Sequence, residues 1–432
     1  MGGRAEPSGS ESAVTPGSND YVTRVDDDPC ALPRAAWNSL LQHCDDPSPF
    51  VRHEYLCALH QSDSAAPHTG WAPRYISLWQ GDELHAACPL YLKNHSYGEY
   101  VFDWAWASAY EQHGVPYYPK AVIAVPFTPV PGSRLLARDD AARALLVQAV
   151  CQWCEDENVS SVHILFASDD DVLTSAQQDL MLRHTVQFHW KNVAPTLPAA
   201  SDAPSPDSTL PGGGSGQPFK DFDHFLASLS HDKRKKIRQE RRRVADAGVS
   251  FRWSRGADIS AADWDFFYRC YERTYLEHGN PPYLTRDFFA RMAAHMPEAW
   301  LLFVAERDGQ PIASSLIAIS ALPSSAGSQK DQNIVAYGRY WGALERVDCL
   351  HFEACYYQPL QWCIDHGVIR FEGGAQGEHK MARALLPVQA TSAHWLAHPA
   401  FADAVERFLQ REGAGVAEYL SELHERSPFK TA

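Results

Sequence analysis

Ionisable side chains crowd into three stretches of this chain, and each stretch suits proton transfer or anion binding. The first is Tyr337–Gln358 (YGRYWGALERVDCLHFEACYYQ), which sets Arg339, His351 and Glu353 among aromatics. It reads as a buried strand running through a turn into a helix start, where unpaired backbone N–H groups point outward. The second is Arg370–Pro387, with Glu372 at a strand end, the pair Gly373-Gly374, and then Gly377-Glu378-His379-Lys380. Glycines there let the backbone come close to a phosphate or a carbonyl. The third is Phe102–Lys120, which places Asp103, Glu111, His113 and Lys120 among Trp and Tyr residues. Aromatic walls with a few polar groups fit a small-molecule or acyl pocket. Each stretch also has a plain structural reading: a salt bridge inside an aromatic core, an ordinary tight turn, or charges facing water.

A fourth feature is cationic. His231–Arg243 (HDKRKKIRQERRR) holds eight Lys and Arg against two acids, in a chain of net charge −15. Ile237 and Val244 give this predicted helix a thin buried stripe, with Ser230 as its expected cap and Gly248 as its stop. Clustered like charge repels itself, so Lys235, Lys236 and Arg238 are candidates to hold an anion such as a phosphate or RNA. No aromatic residues interleave with the cations, which argues against base stacking. The acidic balance of the whole chain excludes bulk nucleic-acid binding as the main task.

The elements that must position these residues come in two similar sets. RYISLWQGDELHAACPLYLK (Arg74–Lys93) and WLLFVAERDGQPIASSLIAIS (Trp300–Ser320) each read as strand, Gly-turn, strand. Each is followed by a further strand, a long helix and another apolar strand. Each half then ends on a strand carrying His-Trp, at His189-Trp190 and His394-Trp395. The pattern predicts a duplicated α/β domain with layered sheets and a site between the halves. The expected division is a tail over 1–28, a first domain over 29–195, a Pro/Ser/Gly linker over 196–218, and a second domain over 219–432 that includes the basic helix 231–247. A second low-complexity insert spans Leu322–Asn333. Pro359 should kink the helix predicted over Leu350–His366 or divide it into two segments.

Composition narrows the class. The 432 residues, 45% hydrophobic and 12% aromatic, supply two globular cores. The chain has no run of 18 apolar residues and no apolar core near its start, so neither a membrane span nor a secretory signal is expected. The ten cysteines therefore read as reduced and mostly packed, in a cytoplasmic protein. Cys151 and Cys154 form a C-x-x-C with no second pair at zinc-ligand spacing, so no metal is expected.

Long motifs then bring in a family. FDWAWASAYEQHG (Phe102–Gly114), YYPK (Tyr117–Lys120), VPFTPVPGSRLL (Val125–Leu136), KRKKIRQERRRV (Lys233–Val244), GRYWGALE (Gly338–Glu345), HFEACYYQ (His351–Gln358), FEGGAQGEHKMARALLP (Phe371–Pro387) and SAHW (Ser392–Trp395) are the segments concerned. Together they resemble the bacterial peptidoglycan biosynthesis/recognition family, grouped with GNAT-type N-acyltransferases and distantly with Fem-type peptidyltransferases. The resemblance covers roughly residues 30 to 425. It implies two GNAT-like domains in tandem and acyl transfer to an amine of a small molecule or cell-wall precursor. The donor it implies is an acyl-CoA or, less favoured, an aminoacyl-tRNA. The pyrophosphate turn of GNAT enzymes has no match in Trp341–Leu350, which moves the expected phosphate contacts to Arg134, Arg339 or the basic helix. Such a reaction needs a base for the amine, and Glu353, Glu372 and Glu378 qualify, with His351 and His379 as alternatives. Tyr340 or Tyr356 could protonate the leaving group, and Arg339 and Lys380 could hold an anionic part of the substrate. A non-catalytic binder on the same fold, recognising a peptidoglycan precursor or a nucleotide, is the competing expectation.

Overall fold

The computed structural model describes residues 21–194, 216–322, 333–375 and 377–430. The first twenty residues of the expected tail, nearly all of the linker and most of the Leu322–Asn333 insert lie outside them. The first half contains β1 (Val22–Asp26), α1 (Arg34–Leu40), α2 (His53–Gln61), β2 (Ala72–Pro73), β3 (Tyr75–Gln80), β4 (Glu83–Cys88), β5 (Leu90–Lys93) and α3 (Trp104–Gln112). It continues through β6 (Lys120–Ile123), β7 (Leu136–Ala137), α4 (Asp140–Asp156), β8 (Ser161–Ala167), α5 (Asp169–Gln177) and β9 (Met181–Lys191). The second half has α6 (Phe222–Ser228), α7 (His231–Asp246), β10 (Val249–Arg255), α8 (Ala261–Glu277), α9 (Arg286–His295), β11 (Trp300–Arg307), β12 (Gln310–Leu322) and β13 (Asn333–Ala343). It ends with α10 (Leu350–Phe352), a π-turn (Glu353–Tyr357), α11 (Gln358–Asp365), β14 (Arg370–Ala375), β15 (Leu386–Leu396) and α12 (Pro399–Glu425).

Local chemistry explains most boundaries. Asp139 caps α4 by accepting from Ala142 N, and Ser260 caps α8 by accepting from Asp263 N. Ser230 stands at the N-cap of α7 but makes no side-chain cap bond. Pro359 divides the predicted helix as expected: it occupies the first turn of α11, directly after the π-turn. Residues 22–26 correct the expected tail, since they form β1 and pair antiparallel with β3. Alternation of Val22, Arg24 and Asp26 with other residues was too weak a strand signal to read.

Eleven strands form one sheet in the order β10-β11-β12-β13-β14-β9-β15-β8-β6-β5-β2, and β1, β3, β4 and β7 form a second. The large sheet holds both halves, and their last strands are exchanged. β9 pairs with β14 of the second half, β15 pairs with β8 of the first, and β9 and β15 lie side by side, antiparallel. The register reveals the symmetry. The offset that maps His189 onto His394 also maps Thr185 onto Ala390, and those two residues are cross-strand partners. A pseudo-twofold axis therefore passes between them, perpendicular to the sheet. Each half keeps a mixed sheet with one parallel pair, β6 with β8 and β13 with β14, flanked by helices. The architecture is a tandem GNAT-like duplication of mixed α/β class.

One sheet face packs on α6, α11 and Ile237 of α7 through Phe188, Trp190, Phe303 and Phe371. The other face, on the second-half side, meets α8, α9 and the first-half segments around Phe50, Tyr55 and Phe127. All ten cysteines are free, and Cys154 is buried against α4's neighbours. Among the described residues no helix is long and apolar enough to cross a membrane, and no group of His, Cys, Asp and Glu could hold a metal ion.

Candidate functional site

The seam between the halves holds four buried polar atoms without a hydrogen-bond partner among the described residues: the Tyr337 hydroxyl, Arg339 Nε, Arg370 Nε and Glu372 Oε2. β13 and β14 run parallel only over Val335–Tyr337 and Arg370–Glu372, then diverge. Beyond that point the edge of β13 facing β14 has no strand partner among the described residues, which leaves main-chain groups for a ligand, although Trp341 O already accepts from Thr274 Oγ1 at 2.9 Å. At the same place β13 carries an extra residue: Ile317 pairs with Gly338 but Leu316 pairs with Tyr340, leaving Arg339 in a bulge. Bulges re-aim side chains, and this one turns Arg339 and Tyr340 onto the seam face. Gly338 leaves room here, since a Cβ would stand 3.0 Å from the Phe371 ring and the ring would have to give way.

Arg339 Nη2 donates to Phe127 O at 3.0 Å and lies 3.4 Å from the Tyr340 hydroxyl. The guanidinium sits 5.4 Å from the Phe50 ring centre and 5.0 Å from that of Tyr340. Among the described residues no carboxylate pairs with it, and its Nε has no hydrogen-bond partner. The surrounding wall comes from both halves. Phe127 stacks on Tyr283 at 4.7 Å, Tyr275 meets Tyr283 edge-on, and Tyr100 lies near Arg339, Tyr275 and Tyr283. Tyr100 holds φ at 62°, a conformation that costs an aromatic residue strain.

One strand across, Glu372 faces the same seam opposite Tyr337. Arg370 contacts one carboxylate oxygen at 2.9 Å and also reaches Asp46 of the first half at 3.0 Å. The other oxygen lies 3.9 Å from His189 Nε2, and neither it nor the Tyr337 hydroxyl has a hydrogen-bond partner among the described residues. Burial pushes the Glu372 carboxyl up to about 8, against the pull of Arg370. Burial and the nearby Arg370 hold His189 down to about 3, so its imidazole is neutral at pH 7. The arrangement pairs a fixed cation with a proton acceptor poised near neutral pH, the combination that general-base chemistry on an anionic substrate requires.

Other expected site residues lie elsewhere. Glu353 is buried on the opposite sheet face, in the π-turn, where Arg241 at 3.1 Å and Gln358 at 2.7 Å engage it. It borders a cavity of about 360 Å³ between α7, β10 and the π-turn, but its charge there is already matched. On that face too, Tyr356 OH lies 3.3 Å from His379 Nε2. His351 stands exposed at the rim, packed edge-on against Trp341 and Tyr356. That packing and the neighbouring His379, Arg383 and Lys380 lower it to about 4. Glu378 is exposed and held by Tyr419 and Arg426.

Several expectations need correction. Lys380 is no free substrate clamp: its ammonium donates to Gly373 O, Gly374 O and Ala375 O at 2.6, 3.2 and 2.8 Å. All three of its protons are engaged in shaping the end of β14, and burial lowers it to about 8. Arg134 is likewise no phosphate contact, since its guanidinium donates to the carbonyls of Val130, Gly132, Ser133 and Leu165 and is buried. Asp103 and Lys120 form a buried ion pair in the first half, with Glu99 at 2.8 Å from Lys120. They face the interior rather than a pocket. Glu111 and His113 are exposed on the far side of α3, and Lys235, Lys236 and Arg238 are exposed along α7.

Sequence reasoning missed Asp46, Phe50, Tyr55, Tyr100, Phe127, Tyr283 and the acid–imidazole contact of His189. The repeated His-Trp was the available signal for His189. Nothing local marks Asp46 or Phe127, which reach the seam across more than two hundred residues of chain.

The FemAB-like family model, described as peptidoglycan biosynthesis/recognition, matches residues 30–196 and 215–431. A comparison with curated proteins found no match. Among solved structures the chain is similar to FemX, at 10% identity and TM-score 0.49, over 87% of this chain and 98% of that one. It is similar to L-PGS from Bacillus licheniformis at 11% identity and TM-score 0.47, over 87% and 97%. It is also similar to a tandem GNAT protein from the clavulanic acid biosynthesis pathway at 11% identity and TM-score 0.42, over 88% and 99%.

Proposed function

Because the chain belongs to the FemAB-like peptidoglycan biosynthesis/recognition family, we propose that it transfers an acyl or aminoacyl group to an amine of a cell-wall precursor at the divergence of β13 and β14. The amine attacks the carbonyl carbon of the donor; the C–N bond forms as the C–S or C–O bond to the carrier breaks. Glu372 accepts the amine proton, and Tyr340 donates one to the departing thiolate or alkoxide. Arg339 holds an anionic part of the precursor, and the unpaired edge of β13 offers N–H donors to the carbonyl oxygen as it gains charge.

The observation that carries this reading is Arg339: a guanidinium on a bulge, walled by aromatics from both halves, with no carboxylate partner among the described residues. A desolvated cation without a counter-ion is stabilised by an anionic ligand. The donor remains acyl-CoA or aminoacyl-tRNA. A cleft of about 820 Å³ beside the turn where β13 ends is lined by Arg243, Arg307 and Arg346 together with Asp246 and Asp348, and Arg307 is paired with Glu345, so it gives a phosphate-bearing carrier at most two unpaired arginines.

The test is mass spectrometry of a soluble muramyl-peptide amine after incubation with the protein and either donor. Transfer in the wild type that drops at least about a hundredfold in Arg339→Ala supports the reading. Recognition without transfer is the second reading, favoured by the near-complete burial of Glu372 at 3% exposure. Precursor binding that Arg339→Ala abolishes, with no transfer from either donor, would select it.

A further inference from the structure

The loop from Ser96 to Trp104 is built the wrong way round for a surface that meets only water. Its inward side chains are Ser96, Glu99, Val101 and Asp103, all buried. Its outward side chains are aromatic: Tyr97 is 62% exposed, Phe102 57%, Trp104 42% and Tyr100 38%. The buried members pin the loop. Lys120 donates to Ser96 and Glu99, each at 2.8 Å, and to Asp103, while Lys93 donates to the Tyr97 carbonyl at 3.1 Å. From outside, Arg183 donates to the Phe102 carbonyl at 2.7 Å and is itself paired with Glu412. The aromatics are therefore presented on a rigid base, and Tyr97 and Trp104 pack edge-on at 5.2 Å. A contiguous exposed apolar patch of this kind marks a binding surface.

We infer that this aromatic platform binds the uncharged pyranose rings of a glycan-bearing precursor, beside the transfer seam; the inference rests on the reading above for where the precursor's reactive end lies. Two observations select a sugar. The first is charge: residues 94–119 contain no Lys or Arg, and the chain as a whole carries −15. Arg183, which reaches the loop from outside, is paired with Glu412, so the platform offers an anionic lipid surface or a nucleic acid no net positive charge. A pyranose needs none, because its axial C–H bonds present weak positive charge to the negative face of an aromatic ring. Tyr97, the most exposed of the four, carries a hydroxyl that can meet sugar hydroxyls. The second is continuity. Tyr100 belongs both to the platform and to the wall around Arg339, Tyr275 and Tyr283. A ligand that anchors an anionic group on Arg339 passes over Tyr100 onto the platform.

Calorimetric titration of the full chain with chitotetraose, a glycan free of peptide and phosphate, tests this. Wild type should bind, and Tyr97→Ala/Trp104→Ala should weaken binding by about tenfold or more, with an unchanged melting temperature because both side chains are exposed. No binding by wild type, equal binding by the double variant, or capture of phosphatidylglycerol vesicles that the double variant loses would each overturn the inference. A parallel transfer assay on a sugar-free peptide amine separates the two claims. Transfer without glycan binding removes the platform alone, and glycan binding without transfer removes the transferase reading alone.

Discussion

The pseudo-twofold axis sets two sites side by side, and they have been finished differently. Val122 of the first half takes the place of Tyr337, His163 takes that of Glu372, and His394 takes that of His189. In the first half the position is closed. His163 Nδ1 meets His394 Nδ1 at 2.7 Å, and its Nε2 lies within reach of Ser161 and Tyr117. Tyr117 donates to Asp103 at 2.5 Å, and Asp103 pairs with Lys120. Two lysines and two carboxylates thus offset one another in charge in a dry cluster, with Lys93 lying 3.6 Å over the Trp71 ring, although Glu99 Oε1, Asp103 Oδ1 and His394 Nε2 lack hydrogen-bond partners among the described residues. In the second half Glu372 keeps an unpartnered oxygen, and among the described residues Arg339 beyond it has no carboxylate. Duplication supplies two copies of a fold, and one copy can be used as scaffold when its charges offset each other. The copy that keeps an unmatched cation is where an anionic ligand adds something.

The contrast can be broken most sharply at Glu372. Glu372→Gln should lower transfer by about a hundredfold or more while precursor affinity stays near wild type. The wild-type rate should climb as pH rises through about 8, because the carboxyl must lose its proton to act as base. A flat profile would remove Glu372 from that role. The matching change in the first half is Lys120→Met, which strands Asp103 and Glu99 in a dry interior. It should destabilise the protein by about 3–5 kcal/mol in denaturant unfolding. Similar stability would mean that the first-half cluster is not a structural unit.

A smaller effect sharpens the same comparison. The Glu372 carboxyl is raised from 4.5 to about 8 on folding, so the folded chain keeps a proton that the unfolded chain has released between those values. That term costs stability as pH rises from about 4.5 to about 8. The melting temperature of Glu372→Gln relative to wild type should therefore increase between pH 5 and pH 8.5. The least effect is expected on α7, where neutralising Lys235, Lys236 and Arg238 should change stability by no more than about 0.5 kcal/mol, since all three are exposed. Loss of tRNA retention at low salt in that variant, with unchanged folding, would identify the helix as a contact for an aminoacyl-tRNA donor.

Much of this architecture was legible in the sequence, for local reasons. The Gly81-Asp82 and Asp308-Gly309 turns, the cap at Asp139, the break at Pro359 and the repeated His-Trp follow from the conformational limits of a few residues and from hydrophobic period. These properties travel with the sequence wherever it sits. The same reasoning named Arg339 and Glu372 from their neighbours in the chain. What it could not rank was their satisfaction. Lys380 and Arg134 have the same chemistry as Arg339, yet main-chain carbonyls occupy them, and Asp103 sits in a lysine-rich cluster where Glu372 faces a neutral imidazole as well as Arg370. Most of those partners stand within a few residues in the chain, as Gly373, Gly374 and Ala375 do for Lys380 and Val130, Gly132 and Ser133 do for Arg134, but only the folded turns bring their carbonyls round to the cation. Desolvation and pairing are set by everything within a few ångströms in space, so the tertiary structure alone decided which ionisable groups are free to act.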